Sequence, residues 1–304
     1  MTRPRLLIIG TTGQVGMSLA QGLPAALREK LDEVRLCGRN EIDLQHVDTL
    51  TEALRSFKPG IVINAAAYTA VDKAEDEPAV AEQVNGHAVG VMAELCREQG
   101  ALLVHYSTDY VFEGNKNRPY VETDPVKPQN AYGRSKALGE RFIAETGCDA
   151  VTLRTGWVFA RHGDNFYKKM IKLANQRDTL GVVDDQTGAP TPADWLAHVA
   201  LHWAGLRAGG VDTPLGMFHA ASSGQTTWYD YAALTFELAA GTPLLARAPV
   251  LNRAKSAAMN FKAHRPAWSV LSTEKLQGAT GLTPPDWKTA VTDALLADIH
   301  EARG

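Results

Sequence analysis

Cysteine is scarce in this sequence. Cys37, Cys96 and Cys148 are the three present among 304 residues, an odd number at wide spacing. They form neither a metal-ligand pattern nor a disulfide framework, and they read as reduced, small apolar fillers. An excess of one charge is missing as well: 31 basic residues stand against 34 acidic ones, a net charge of -3. That balance gives no overall attraction to nucleic acid or to an anionic membrane. Long apolar runs are missing too. Met1-Thr2-Arg3-Pro4-Arg5 leads into a run of four strong apolar residues, too short for a secretion signal, and no window approaches a membrane span. Internal repeats and low-complexity linkers are absent. The expectation is a cytoplasmic protein with neither a nucleic-acid nor a membrane partner.

What is present is an ordinary globular composition, 45% hydrophobic and 21% charged. The length suits one large domain with an appended lobe, or two closely packed domains. In the first half, short apolar runs alternate with helical periods. Leu6 to Ile9, Val34 to Cys37, Ile61 to Ile63 and Leu102 to Val104 read as buried strands. Between them Val47, Leu50, Leu54 and Phe57 recur at helical spacing, as do Val80, Val84, Val91 and Leu95. This alternation predicts an α/β fold, a Rossmann-type doubly wound parallel sheet, with ligands at the C-terminal strand edge. The pattern loosens after residue 157. Residues 1–156 are expected to form the dinucleotide-binding domain, rejoined by a strand near 216–221. Residues 157–304 are expected to be mainly a smaller C-terminal α/β lobe that binds substrate.

Behind the first strand stands Gly10-Thr-Thr-Gly13-Gln14-Val15-Gly16. The first glycine permits a tight turn, the second lets backbone approach a pyrophosphate, and the third lets helix and strand pack closely. The following helix offers free N–H groups and its positive dipole end. A plain tight turn leaves the triplet spacing unexplained. The second strand ends Cys37-Gly38-Arg39. An arginine there suits the 2′-phosphate of NADPH, whereas an acid would have suited NADH. A solvated surface arginine is the plainer alternative for Arg39, and Asp43-Leu44 stand close by to line an adenine instead.

The second anchor is Tyr132-Gly-Arg-Ser-Lys136. With Asn130 as N-cap, Tyr132 and Lys136 fall at i and i+4 on one helical face. A free tyrosine titrates near 10. A nearby ammonium favours the phenolate, so Tyr132 is suited to give a proton to a carbonyl oxygen or to take it back. Lys136 would also hold the nicotinamide ribose. By itself the pair reads as readily as a surface helix contact. Its place downstream of the glycine loop, and behind the strand-end hydroxyls of Ser107 and Thr108, turns it toward chemistry. Trp157 offers a flat apolar face with one N–H donor, or is a core tryptophan. Arg265 suits a bidentate clamp on a diphosphate, or is an exposed arginine. Arg161, Lys168, Lys169 and Lys172 form a basic stretch that reads more simply as a solvated helix face. The run Gly188-Ala-Pro-Thr-Pro192 predicts a turn, then a helix from Pro192.

GxxGxxG with YxxxK resembles the extended branch of the short-chain dehydrogenase/reductase superfamily. Longer segments are narrower in their likeness. Asn64-Ala-Ala-Ala-Tyr68-Thr-Ala-Val-Asp72-Lys-Ala-Glu75, Ser107-Thr-Asp-Tyr-Val-Phe112, Arg154-Thr-Gly-Trp157-Val-Phe159, Asp185-Gln-Thr-Gly-Ala-Pro-Thr191 and Arg265-Pro266 resemble the dTDP-4-dehydrorhamnose reductase family. The resemblance spans nearly the whole chain. It implies NAD(P)H-dependent reduction of the 4-keto group of dTDP-4-dehydro-β-L-rhamnose to dTDP-L-rhamnose, a donor for cell-surface glycans. NADPH is the expected cofactor, with NADH the alternative. It implies that Gly13, Gln14 and Val15 touch the cofactor phosphates, that Asp43 and Leu44 lie near the adenosine, and that Ala67, Tyr68 and Thr69 line the cofactor. Thr108, rather than Ser107, would orient the carbonyl; Thr108, Asp109 and Trp157 would contact the sugar nucleotide. Two departures stand out. Some members carry a glutamate two residues after the third glycine, part of a metal-bridged dimer; Ser18 stands there. No metal ligand is therefore assigned, Mg2+ stays open, and so does the choice between monomer and homodimer. The Arg-Pro segment often continues to an asparagine, where Trp268 stands here. The alternatives are a reductase or epimerase of another nucleotide-linked 4-keto sugar, and a non-catalytic regulatory relative.

Overall fold

The computed structural model describes residues 3–303. Its centre is a six-stranded sheet: β1 (Leu6–Ile9), β2 (Val34–Cys37), β3 (Ile61–Asn64), β4 (Leu102–Thr108), β5 (Ala150–Thr155) and β6 (Gly216–His219). All neighbours are parallel, in the order β6-β5-β4-β3-β1-β2. The strand expected near 216–221 is β6, on the sheet edge beside β5.

Both faces are covered, which is why β1 reads as an unbroken apolar run. Leu6 and Ile8 point to one face and Leu7 and Ile9 to the other, all fully buried. On the first face lie α1 (Gln14–Gln21) and a long helix from the C-terminal half, Ala193–Ala208, through Leu196, Val199 and Trp203. The chain past residue 157 is thus not confined to the lobe. On the second face pack α2 (Val47–Phe57), through Leu50, Leu54 and Phe57, and α3 (Ala88–Gln99), through Val89, Met92 and Cys96. Each such buried aliphatic side chain contributes about 1.5–3 kcal/mol. Helix α4 (Ala131–Thr146) carries the Tyr-x-x-x-Lys pair beside β4.

The lobe has its own core. Phe159, Tyr167 and Tyr231 meet Val291 and Leu295, and Met170, Leu180, Val182, Phe236 and Leu245 form a second cluster. Its strands are short and pair across long sequence gaps, as in Thr179–Val183 with Val250–Ala254. The helix expected from Pro192 begins at Ala193, with Pro192 as its cap.

The order of strands reverses between β1 and β3, and the glycine loop sits at that point. Gly10 has φ +89, and a Cβ there would lie 2.5 Å from the Ala66 backbone nitrogen. A Cβ on Gly16 would lie 2.0 Å from the Gly10 carbonyl oxygen, whereas one on Gly13 meets nothing closer than 3.5 Å. Gly10 and Gly16 are therefore needed for packing, and Gly13 leaves space open. Gly16→Ala is expected to lower Tm, at about 3 kcal/mol of overpacking. Gly13→Ala is expected to keep a near wild-type Tm and to weaken NADPH binding, as melting and calorimetric titration would show. Unchanged NADPH affinity in Gly13→Ala would contradict the phosphate site.

Candidate active site

A cleft of about 530 Å³ opens along the C-terminal strand ends. Every residue expected at the cofactor lines it, except Gly16, which is buried under the loop. Gly13 caps α1 without a side-chain bond, and the first turn carries no acid. Its N–H groups are thus free for an anion. This open cradle fits a pyrophosphate. Gln14 ties the loop to the lobe: its Oε1 accepts from Asn165 Nδ2 at 3.1 Å, and its carbonyl lies 2.8 Å from His162 Nε2. Arg39 stands at the adenosine end, largely exposed and paired loosely with Asp43 at 3.5 Å. Tyr68 is clamped by a buried asparagine. Asn85 Oδ1 accepts the Tyr68 N–H and Nδ2 donates to the Tyr68 carbonyl, both at 2.9 Å.

Helix α4 carries Tyr132 and Lys136 to the cleft. Asn130 Oδ1 accepts the Gly133 N–H at 2.7 Å, the N-cap expected from the sequence. Tyr132 and Lys136 both line the cleft, as do Thr108 and Asp109 from the end of β4. Burial pushes the Tyr132 hydroxyl up, while a hydrogen bond with Thr108 acts in the opposite sense. Lys136 is turned inward: Nζ donates to the Tyr106 carbonyl and lies 3.4 Å from His105 Nε2. Burial lowers its pKa to about 8, opposed by the Glu140 charge. The downward pull on Tyr132 expected from the Lys136 ammonium is not found: Nζ faces the Tyr106 carbonyl and His105, and desolvation dominates at the phenol. Glu140 itself is held by Arg154 in a buried two-pronged pair at 2.9 and 2.7 Å, and by the Ser107 hydroxyl at 2.5 Å.

The lobe closes the far side. Trp157 lines the cleft with φ 51, the left-handed region, which costs about 1–3 kcal/mol in a residue with a side chain. Its ring lies flat on Trp228, centroids 3.5 Å apart, and its carbonyl accepts the Thr191 N–H at 3.1 Å. Trp228 Nε1 donates to Gln186 at 3.0 Å, which fixes that ring. Arg265 is not on the cleft lining. Its Nη2 donates to Asp72 at 2.9 Å and its guanidinium lies over Phe261, while Nε is buried without a partner among the described residues. The basic stretch is also elsewhere: Arg161 pairs with Asp298 and Glu301 on the last helix, and Lys168 donates to the Arg161 carbonyl. Ser18 donates to Asp194 at 2.5 Å. Among the described residues no group of three metal-ligating side chains is arranged to hold a metal. Nor is any described helix long and apolar enough to cross a membrane.

The family model for the RmlD substrate binding domain matches residues 4–299. A dTDP-4-dehydrorhamnose reductase of Burkholderia thailandensis is 45% identical, over 94% of this chain and 96% of that one. Among solved structures, a dTDP-4-dehydrorhamnose reductase of Clostridium acetobutylicum has a TM-score of 0.86 at 31% identity, covering 96% of this chain and 99% of that one. Another from Bacillus anthracis, in complex with NADP, has a TM-score of 0.86 at 28% identity, covering 97% and 100%. The chain belongs to the dTDP-4-dehydrorhamnose reductase family.

The cleft contains two groups that the sequence alone did not mark. Thr155, at the end of β5, has a buried hydroxyl without a partner among the described residues. Trp228 is a second. Both are brought in by pairings distant in sequence: Thr155 stands opposite Thr108 across the sheet. Asp109, which was expected, is buried. Desolvation raises its pKa from 3.8 to about 6 against the Thr108 and Ser269 hydroxyls. A carboxyl raised in the folded state favours folding below the unfolded pKa, and that contribution is lost as pH rises through 6. The rise from 3.8 to about 6 corresponds to about 3 kcal/mol. Asp109→Asn is therefore expected to melt higher than wild type at about pH 8, with the gap closing below about pH 4. Circular-dichroism melts at both pH values test this; an equal gap at both would contradict the buried carboxylate.

Proposed function

We propose that this chain reduces the 4-keto group of dTDP-4-dehydro-β-L-rhamnose to dTDP-L-rhamnose, the last step of dTDP-rhamnose synthesis, with NADPH as reductant. The observation that carries this is the convergence of the glycine loop, Thr108, Tyr132 and Lys136 on one cleft, in a chain 45% identical to a reductase of that name. When bound, NADPH supplies a hydride to the keto carbon. The α1 N-terminus and the open side of Gly13 hold its pyrophosphate. Arg39, weakly held by Asp43, is placed to turn toward a 2′-phosphate. Ala67, Tyr68 and Thr69 line the nucleoside path along β3.

Tyr132 acts as the acid. Burial keeps its hydroxyl protonated, the form a donor needs in the reduction direction. As the keto carbon gains its new C–H bond, the Tyr132 O–H bond breaks and the proton goes to the former carbonyl oxygen. Thr108 holds that oxygen and supports the phenolate left behind. Lys136 holds the ribose and, as ammonium, offsets the same negative charge. On the substrate side, Asp109 and Thr155 offer an acceptor and a hydroxyl to the sugar, and the Trp157–Trp228 pair offers a flat apolar wall. We assign the reaction to the cytoplasm; the buried free thiols Cys37 and Cys96 agree with a reducing compartment.

The test is NADPH oxidation, with dTDP-4-dehydro-L-rhamnose generated in situ and GDP-4-dehydro-6-deoxymannose in parallel. Oxidation with the dTDP sugar alone is expected. Tyr132→Phe is expected to lower kcat by about 10²–10⁴ while NADPH affinity stays near wild type. Wild-type turnover in that variant would contradict the acid assignment, and no oxidation with the dTDP sugar would contradict the reaction.

A further inference from the structure

Two buried side chains behind Lys136 have no task in the chemistry above. Asn64 and His105 are both fully buried and stand opposite each other in the register of β3 and β4. Asn64 Oδ1 accepts the Ala66 backbone N–H at 3.1 Å. A backbone N–H only donates, so the orientation of the amide is determined. Its NH₂ group then faces His105 Nδ1, at 3.1 Å. Nδ1 must accept, and the hydrogen of the neutral ring sits on Nε2. The ring is neutral because burial, reinforced by Lys136, holds its pKa well below the usual value. Nε2 lies 3.4 Å from Lys136 Nζ. An ammonium has donors and no acceptor, so Nε2–H against it sets donor on donor. A neutral amine takes that N–H on its lone pair and still donates to the Tyr106 carbonyl.

We propose that Asn64 and His105 are a tuning relay for Lys136: Asn64 holds His105 as the Nε2–H tautomer, and that N–H loosens the lysine's hold on its proton. Both are positioning residues, acting through Lys136, and the proposal rests on the reading of Tyr132 and Lys136 as the reacting pair. Lys136 becomes a group that titrates within the working pH range instead of a permanent ammonium. Beyond the Tyr106 carbonyl, the other groups around it offer Nζ no acceptor. Tyr132 lies one turn back on α4. Glu140 lies one turn on, but its carboxylate is taken by Arg154 and Ser107. Asn85 is committed to Tyr68 and Ser135. The Glu140 charge favours the ammonium, yet burial outweighs it and the lysine falls to about 8.

The test begins with ¹⁵N NMR of the histidine-labelled, unliganded protein, with His105→Gln identifying the His105 signals. Expected at neutral pH are a bare Nδ1 and a protonated Nε2, with the Nε2 signal moving as pH passes about 8. This measurement needs no turnover, so it stands or falls separately from the reaction. Kinetics give the second reading. Asn64→Asp keeps an acceptor for the Ala66 N–H and offers another to Nδ1, which reverses the tautomer and turns a lone pair toward Nζ. His105→Gln adds no charge and lets an amide oxygen face Nζ. Both are expected to move the alkaline limb of kcat upward by about one pH unit, a tenfold change in proton affinity, with KM for the sugar nearly unchanged. An Nδ1–H tautomer in the wild type overturns the proposal, as does an alkaline limb unmoved in His105→Gln. Should neither variant fold, the wild-type tautomer and its titration decide.

Discussion

The structure depends on one close approach. The Gly10 carbonyl lies where a β-carbon on Gly16 would be 2.0 Å away, and Gly10 itself presses on the Ala66 backbone. Three elements, β1, α1 and the start of the segment after β3, are thereby brought within backbone contact at the point where the strand order reverses. β1 alone does not fix its own position, because Leu6 to Ile9 are apolar on both faces. The turn does so, by ending the strand at a residue with φ +89. The same turn aims the uncapped N-terminus of α1 into the cleft, so the packing and the free N–H groups come from a single feature.

Dryness is the second constraint. The end of β4 and the face of α4 bury Lys136, His105, Glu140 and Asp109 together. In such a setting each charge is set by its neighbours more than by the solvent. Glu140 and Arg154 pair with two bonds; breaking a buried pair of that kind costs about 3–5 kcal/mol. Asp109 and Lys136 lack so complete a partner and are pushed toward their neutral forms. Tyr132 is kept a phenol by the same burial. The cleft thus shifts Asp109, Lys136 and Tyr132 toward their neutral forms, beside an ion pair that ties α4 to β5.

Much of this was legible in the residues. β1 and β3 run where the apolar runs run, since a four-residue strand buried on both faces has no other signature. Val34–Cys37, expected to be buried, is instead the edge strand β2, with Leu36 exposed, because no further strand covers it. Helix α4 begins where Asn130 caps it. The nucleotide-side residues follow in chain order from the loop. What was not legible depends on partners distant in sequence. His105 and Asn64 sit inside apolar strands and acquire meaning only from the register that sets them side by side. Trp228 reaches Trp157 across 71 positions of the chain, and Arg265 meets Asp72 from the opposite end. The lobe's strands at 179–183 and 250–254 pair with each other across a long gap; the first alternates over four residues around Gly181 and the second is largely exposed, which is too little local pattern to read.

The most direct measurement follows the hydrogen. NADPH deuterated at its reducing carbon would be incubated with dTDP-4-dehydro-L-rhamnose and the product read by NMR. Deuterium at C4 of the rhamnose is the expected result, because the proposed reaction delivers the cofactor hydride to the keto carbon. Product without deuterium, or with deuterium at another carbon, would contradict the account.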